Sequence, residues 1–370
     1  GRGQLLRAVI RATSTRREID LRFTEPRFLG RNLAGSVELF DVVIDFLDEA
    51  GFRSTRTGGQ VSLAFPLTQN TSLSARYSLR SESIEFPQEN QCDQVLQASQ
   101  TGQLSAQSTQ LLSLCQQVGG RLSSIFGYTF GWDRRNDPIT PTGGFDLRFS
   151  QDVAGIGGDV RYLRTDVRGN YYKGLFPGVI ASASLSGGYI RGWSGDPVQI
   201  NDRYFKGNFD FRGFDNAGSG PRGVNYVAET GATLIPTATG GFDGRAQALG
   251  GNLFGLAAAE VSFPVGLPQL LGSLFVEAGT VGLLDESFQY NIITDPGASG
   301  LTAGSSCEGV TAVGVICQRT IDTLDPRVTA GASIFWESPF GPIRFDFAQP
   351  IVKQPFDDRQ SFQFTTRTRF

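Results

Sequence analysis

The sequence predicts an all-β protein, an antiparallel up-and-down β-barrel whose strands cross a membrane. Three observations predict it. Apolar and polar residues alternate with a period of two along most of the chain, many alternating segments reach about ten residues, and the connections fall by parity into a short set and a long set. About ten residues is what a tilted strand needs to cross a bilayer, whereas the strands of a soluble sandwich are shorter and regularly punctuated. No run approaches the ~18 consecutive apolar residues of a membrane-spanning helix, so the strands alone carry the expectation.

Fourteen strands are expected, at 3–13, 16–24, 33–46, 56–65, 71–84, 122–132, 145–150, 158–168, 179–193, 253–263, 273–283, 327–337, 342–349 and 361–370. In 16–24, Ile19, Leu21 and Phe23 oppose Glu18, Asp20 and Arg22. In 71–84, Leu73, Ala75, Tyr77 and Leu79 oppose Ser74, Arg76, Ser78 and Arg80. Phe126, Tyr128, Phe130 and Trp132 alternate with Gly127, Thr129 and Gly131, and Phe145, Leu147 and Phe149 with Asp146, Arg148 and Ser150. Near the end, Ile343, Phe345 and Phe347 alternate with Arg344, Asp346 and Ala348. One face is cleanly apolar and the other carries charge of both signs, which fits lipid outside and a wet lumen inside.

The connections at 25–32, 66–70, 134–144, 169–178, 264–272 and 338–341 are short and bear Pro or Gly. Those at 85–121, 194–252 and 285–326 are long. Short turns on one rim and long loops on the other is the pattern of an outer-membrane barrel, so the long loops are expected to be extracellular. Helix is expected only as one short piece within the Gln- and Ser-rich stretch 95–118. No secretory signal precedes the pattern at Gly1, so the expectation is the C-terminal, barrel-forming part of a longer protein.

Composition excludes several functions. The net charge of −3, with Lys and Arg spread singly along strands, does not suggest a nucleic-acid partner. His is absent, which removes Ser-His-Asp and Cys-His catalysis, a His-ligated metal and a His general base. An enzyme is therefore not expected, and neither catalytic residues, a metal nor a cofactor. Gly is abundant, 47 in 370 residues, about twice the usual ~7%. The four cysteines form two local pairs in long loops, Cys92 with Cys115 and Cys307 with Cys317. These read as disulfides of an oxidising compartment; a four-thiolate metal site is the alternative, but neither pair has C-x-x-C spacing.

The stretch Asp202-Arg203-Tyr204-Phe205-Lys206-Gly207-Asn208-Phe209-Asp210-Phe211-Arg212-Gly213-Phe214 has no sustained period. Four Phe in a loop should be packed rather than left in water, so the segment is expected to fold back into the barrel with Arg212 as its anchor. Two lone carboxylates, Glu260 and Glu277, fall on the inward faces of consecutive strands. An Arg guanidinium can satisfy two carboxylates with its fork of donors, which makes Arg212 a candidate partner. Other strand arginines could serve as well. At the C-terminus, Phe362, Phe364, Thr366, Thr368 and Phe370 share one face of the last strand.

Phe211-Arg212-Gly213-Phe214 resembles the [V/F]-R-G-[F/Y] signature of the outer-membrane assembly family that includes BamA, TamA and the two-partner secretion transporters. Ile190-Arg191-Gly192-Trp193, Asp202-Arg203-Tyr204-Phe205-Lys206-Gly207, the run from Ser338 to Ala348 and the stretch from Asp20 to Leu29 are also similar to this family. The resemblance spans nearly the whole chain. It implies a sixteen-stranded barrel, of which about fourteen strands are present, with two strands and the periplasmic POTRA domains placed before Gly1. It implies that the loop carrying Arg212 turns into the lumen and that the Arg meets acidic residues at positions such as Glu260 and Glu277. It also implies a β-signal in the terminal aromatic strand and a lateral seam between the last and first strands; the polar Thr365, Thr366 and Thr368 suit a weak seam. The function implied is non-enzymatic assembly of other β-barrels in the bacterial outer membrane. The partners implied are nascent outer-membrane β-barrel proteins, accessory assembly lipoproteins, and outer-membrane lipids with lipopolysaccharide. A two-partner secretion pore and a passive porin are the other readings.

Overall fold

The computed structural model describes the chain apart from residues 1–2, 14–15, 49, 86–91, 102–114, 116, 230–232, 237–245, 268, 290, 296–299, 302–304, 308–314, 339–340 and 367–370. β1 (Leu5–Ala12), β2 (Arg16–Glu25), β3 (Ala34–Phe46), β4 (Phe52–Pro66) and β5 (Thr71–Glu85) precede a short helix, α1 (Cys92–Thr101). Next come β6 (Gly119–Asp133), β7 (Gly143–Phe176) and β8 (Val179–Gly192). The long segment after β8 holds β9 (Gly213–Phe214), β10 (Arg222–Glu229), β11 (Thr233–Pro236) and β12 (Gln247–Ala248). β13 (Leu253–Pro264) and β14 (Leu270–Gly282) resume the long strands, and β15 (Asn291–Asp295) and β16 (Ile316–Ile321) lie in the last long loop. β17 (Arg327–Ser338), β18 (Gly341–Val352), β19 (Arg359–Gln360) and β20 (Phe362–Thr366) finish the order.

The long strands form one antiparallel meander in the order β1-β2-β3-β4-β5-β6-β7-β8-β13-β14-β17-β18-β20. β7 is itself a hairpin. Its first arm pairs with β6 and its second with β8, and the arms face each other through Gln151–Thr165 and Asn170–Asp146 hydrogen bonds in one common register. Gly155, Gly157 and Gly158, all at positive φ, make the reversal, which a residue with a Cβ adopts only at a cost. Counting both arms, the meander has fourteen strands, one for each segment that the alternation marks out. The second arm runs on to Phe176, so most of the expected turn at 169–178 is strand. There Asn170 turns inward to Asp146 while Tyr171 stays exposed, so a polar, Gly-bearing sequence still serves both faces.

The two faces differ as the period of two requires. On β14, Leu274 is 59% exposed and Val276 50%, while Phe275 between them is 3% exposed and Glu277 8%. Bulky apolar side chains that stand exposed on the outer face, such as Leu21, Val37, Leu63, Leu185 and Phe347, belong to a surface that meets lipid. No helix among the described residues is long and apolar enough to cross a membrane. Among the described residues β1 and β20 end the meander and do not pair with each other, so the sheet is not closed.

The long loops meet above one rim. β10, β11, β15 and β16 form a separate small sheet, with β12 added against β10, so the loops after β8 and β14 are joined by main-chain hydrogen bonds. A cluster of Ala50, Phe52, Ile84, Val95, Ile200, Ala217 and Ala248 packs beneath α1, whose Cys92 is bonded to Cys115 with Cα atoms 5.2 Å apart. Cys307 and Cys317 form the second disulfide, Cα atoms 6.1 Å apart, within a small core that includes Ile293 and Val315.

Candidate site: a loop anchored inside the barrel

The segment after β8 leaves the rim and passes down the inside of the sheet. Tyr204 exchanges main-chain hydrogen bonds with Gly251 (2.8 and 2.9 Å), and Lys206 accepts one from Ser219, so the loop has its own narrow two-stranded neck. The Tyr204 ring stacks edge-on to Phe254 at 4.6 Å, lies under the Arg164 guanidinium at 4.3 Å, and its hydroxyl donates to Asp166 at 2.9 Å. Burial holds that hydroxyl well above the usual phenol range, so it stays a donor.

Below the neck, Gly207 and Asn208 adopt positive φ and turn the chain, leaving Phe209 60% exposed. Only part of the expected packing of four Phe is therefore met. Phe211 and Phe214 are buried with ring centroids 4.8 Å apart, and Phe205 stacks on Phe46 beneath the rim at 5.1 Å. Phe209 sits in the turn that Gly207 and Asn208 make, with its ring largely exposed.

Arg212 lies at the end of this turn with its side chain almost wholly enclosed. Its backbone N–H donates to Glu277 Oε2 at 2.9 Å and its Nε to Oε1 of the same carboxylate at 2.5 Å. Nη2 donates to Glu260 Oε2 at 3.0 Å, and Nη1 to Ser333 Oγ at 3.3 Å and Asp346 Oδ1 at 3.5 Å. The guanidinium carbon stands 3.4 Å from the Phe275 ring centroid, a cation–π contact. Ser273 donates to Glu260 at 2.5 Å, Ser333 donates to Asp346, and Arg344 donates to Asp346 at 2.7 Å. Three carboxylates and two guanidiniums thus meet in one site, Arg212 enclosed and Arg344 at its more exposed edge, with charge-assisted bonds of the strong kind. The structure brings Arg212, Glu260 and Glu277 together. Asp346, Ser273, Ser333 and Phe275 complete the pocket without having been singled out, although Asp346 shows the same signal as Glu260, a lone carboxylate on the polar face of an alternating strand.

Gly213 and Phe214 carry the loop onto the last hairpin. They pair as β9 with Gln360 and Arg359 of β19, and Gln363 of β20 donates to the Phe214 carbonyl at 3.4 Å. Asp215 N–H donates to the Asp358 carbonyl, and Asp358 N–H to that of Gly218. Gly213 has φ +91°, and a Cβ there would come 3.1 Å from Thr329 Cγ2 and 3.4 Å from Ala348 Cβ. A buried pair, Arg327 with Asp357 at 3.0 Å, holds the connection between β18 and β20 against the start of β17. Phe362 and Phe364 face Phe347 and Phe345 across β18 at 5.2 and 5.5 Å. Phe370 lies outside the described residues.

A second buried charge cluster lies near the rim, and nothing in the sequence reading pointed to it. Glu82 of β5 is fully enclosed and meets Arg80 at 2.6 Å, Arg121 at 2.8 Å and Arg56 at 3.5 Å, with Ser123 donating to it at 3.1 Å. The loop adds Asp202, 2.6 Å from Arg121 and 3.6 Å from Arg80, and Asn201, whose carbonyl accepts from Arg56 and whose side chain accepts from Arg121. Glu82 continues the inward set Ser74, Arg76, Ser78 and Arg80, so its position was open to the same test that found Glu260.

A family model described as the Omp85 superfamily domain matches residues 1–370. The outer membrane protein assembly factor BamA of Neorickettsia risticii is 27% identical over 317 residues, which are 85% of this chain and 34% of that protein. BamA of Neisseria meningitidis serogroup B is 24% identical over 257 residues, 66% of this chain and 29% of that protein. The sorting assembly machinery 50 kDa subunit of Saccharomyces cerevisiae is 30% identical over 129 residues, 33% of this chain and 26% of that protein. The chain therefore spans about a third or less of the length of these curated relatives. The crystal structure of Haemophilus ducreyi BamA lacking POTRA domains 1–3 superimposes with a TM-score of 0.69 at 18% identity, covering 98% of this chain and 64% of that one, a likeness of fold.

Proposed function

This chain belongs to the Omp85 superfamily, and on that premise we propose that it is the barrel of an assembly factor that inserts other β-barrel proteins into the outer membrane of a bacterium. The long loops are then extracellular, the short turns periplasmic, and both disulfides lie on the oxidising side. The work is non-enzymatic. The last strand, β20, pairs with β18 on one side only among the described residues, and a weak seam there offers an edge to which an incoming strand adds its own hydrogen bonds. Phe362, Phe364 and the terminal Phe370 are assigned to the β-signal and the seam. The clients are nascent outer-membrane β-barrel proteins, with accessory lipoproteins as helpers and outer-membrane lipids with lipopolysaccharide as surroundings.

One observation carries this reading: the lumen is occupied by a loop whose Arg212 is bonded to four strands of the sheet, and whose next residues pair with the final hairpin. A tie between the lumen loop and the final hairpin suits a machine whose seam opens. The test is reconstitution of the full-length protein in liposomes with a second, unfolded outer-membrane barrel as client. Faster folding of the client supports the assembly role. No acceleration, with a large steady conductance, would favour a two-partner secretion pore or a passive porin.

A further inference from the structure

The two charge clusters that hold the lumen loop have opposite sign. The wall formed by β4, β5 and β6 contributes Arg56, Arg80 and Arg121 against Glu82, a net charge of +2. The wall formed by β13, β14 and β18 contributes Glu260, Glu277 and Asp346 against Arg344, a net charge of −2. With both arms of β7 counted, β5 is the fifth strand of the meander and β14 the eleventh, so the walls lie on opposite halves of a fourteen-strand sheet. The loop presents Asp202 to the positive wall and Arg212 to the negative one. Arg203, beside Asp202, turns away from the positive wall to the carbonyls of Val198 and Leu249. Even with Asp202 in place, three arginines face two carboxylates, so one positive charge is in surplus there.

We infer that Asp202 is a second anchor of the loop, independent of Arg212, and that the segment between them is a charge-polarised tie across the lumen. A buried like-signed cluster is costly unless a counter-charge reaches it. Each end of the loop supplies that counter-charge to one wall only, because exchanging the ends would set Arg212 among three arginines and Asp202 among three carboxylates. The loop is therefore held in one polarity. Asp202 acts here as a positioning residue through Arg80 and Arg121, and a tie of this kind serves an insertase and a pore alike.

The test is hydrogen exchange followed by mass spectrometry on the full-length protein in lipid nanodiscs, with heat-modifiable migration on a gel as the check of folding. The amides of Ile200, which donates to Gln117, and Tyr204, which donates to Gly251, report the first anchor; the Arg212 amide reports the second. Asp202→Asn is expected to speed exchange over 198–204 at least tenfold and to leave 210–214 within twofold of the native rate. Adding Arg121→Gln restores the original net charge of the cluster that the wall and residue 202 form together, and is expected to recover most of the protection, which a role resting on shape alone would not do. Arg212→Ala is expected to do the reverse of Asp202→Asn, and it tests the independence of the anchors even if Asp202→Asn does not fold. Unchanged exchange over 198–204 in Asp202→Asn, loss of both segments together in either single variant, or no recovery in the double variant would each overturn the inference.

Discussion

Arg212→Ala removes the guanidinium that, among the described residues, ties the loop to Glu260, Glu277 and Asp346 at once. The side chains of the three carboxylates are 16%, 11% and 3% exposed and that of Arg212 is 7%, so solvent cannot stand in for the lost guanidinium. Breaking a buried ion pair by deleting one partner costs about 3–5 kcal/mol, chiefly because the other charge is left uncompensated. Here the low end applies. Glu277 keeps the Arg212 backbone N–H at 2.9 Å, Glu260 keeps Ser273, and Asp346 keeps Arg344. A loss of about 3 kcal/mol corresponds to roughly two decades in the population of the unseated loop, at ~1.4 kcal/mol per tenfold. The assay is limited trypsin digestion of the reconstituted protein, read as cleavage after Lys206, whose side chain is 14% exposed and paired with Asp210 in the seated state. When opening is fast relative to cleavage, the rate follows the open population, so cleavage should quicken about a hundredfold. Client folding should slow in parallel. Cleavage and activity within threefold of the native protein would refute the view that this ion cluster holds the loop.

Three further outcomes follow from the same geometry. Gly213→Val should unseat Phe214 from β19 and cost roughly 1–3 kcal/mol, since φ +91° is strained for a β-branched residue and Thr329 and Ala348 leave no room; exchange of the 213–215 amides measures it. Replacing Cys92 and Cys115 by Ser should destabilise the cap above the rim by about 3 kcal/mol, the chain-entropy value for a loop of 23 residues; α1 should lose exchange protection while the strands keep theirs. Phe364→Ala should weaken β20 against β18 by roughly 0.5–1.5 kcal/mol through the lost ring pair with Phe345. A site-specific spin-label pair across β18 and β20 would report it as a broader distance distribution.

Much of the barrel was legible in the residues because lipid is an unforgiving solvent. Where Ile19, Leu21 and Phe23 stand on one face and Glu18, Asp20 and Arg22 on the other, the period of two is plain, and each of the fourteen segments it marks becomes a strand. The arms of β7 were legible for the same reason, and the glycines between them gave the reversal. The pocket was legible in part. Arg212 stood out as a cation in an apolar loop, and Glu260 and Glu277 as carboxylates on inward faces. Asp346 and Glu82 carried the same mark but were hidden among neighbouring polar residues, and Asp202 lay in a run that drew notice for its aromatics.

Period, turn length and residue chemistry therefore settle which segments are strands, which face meets lipid and which side chains bring charge inside, since each of these is decided within about ten residues. Which charges meet is a different kind of fact. Arg212 reaches residues 48, 65 and 134 positions away, and Asp202 reaches Arg121, 81 positions away. Those distances depend on the order of strands around the sheet and on how deep the loop descends, and a local pattern encodes neither. A charge on an inward face announces only that it needs a counter-charge. The folded sheet, by setting one positive and one negative wall on either side of a single loop, supplies it.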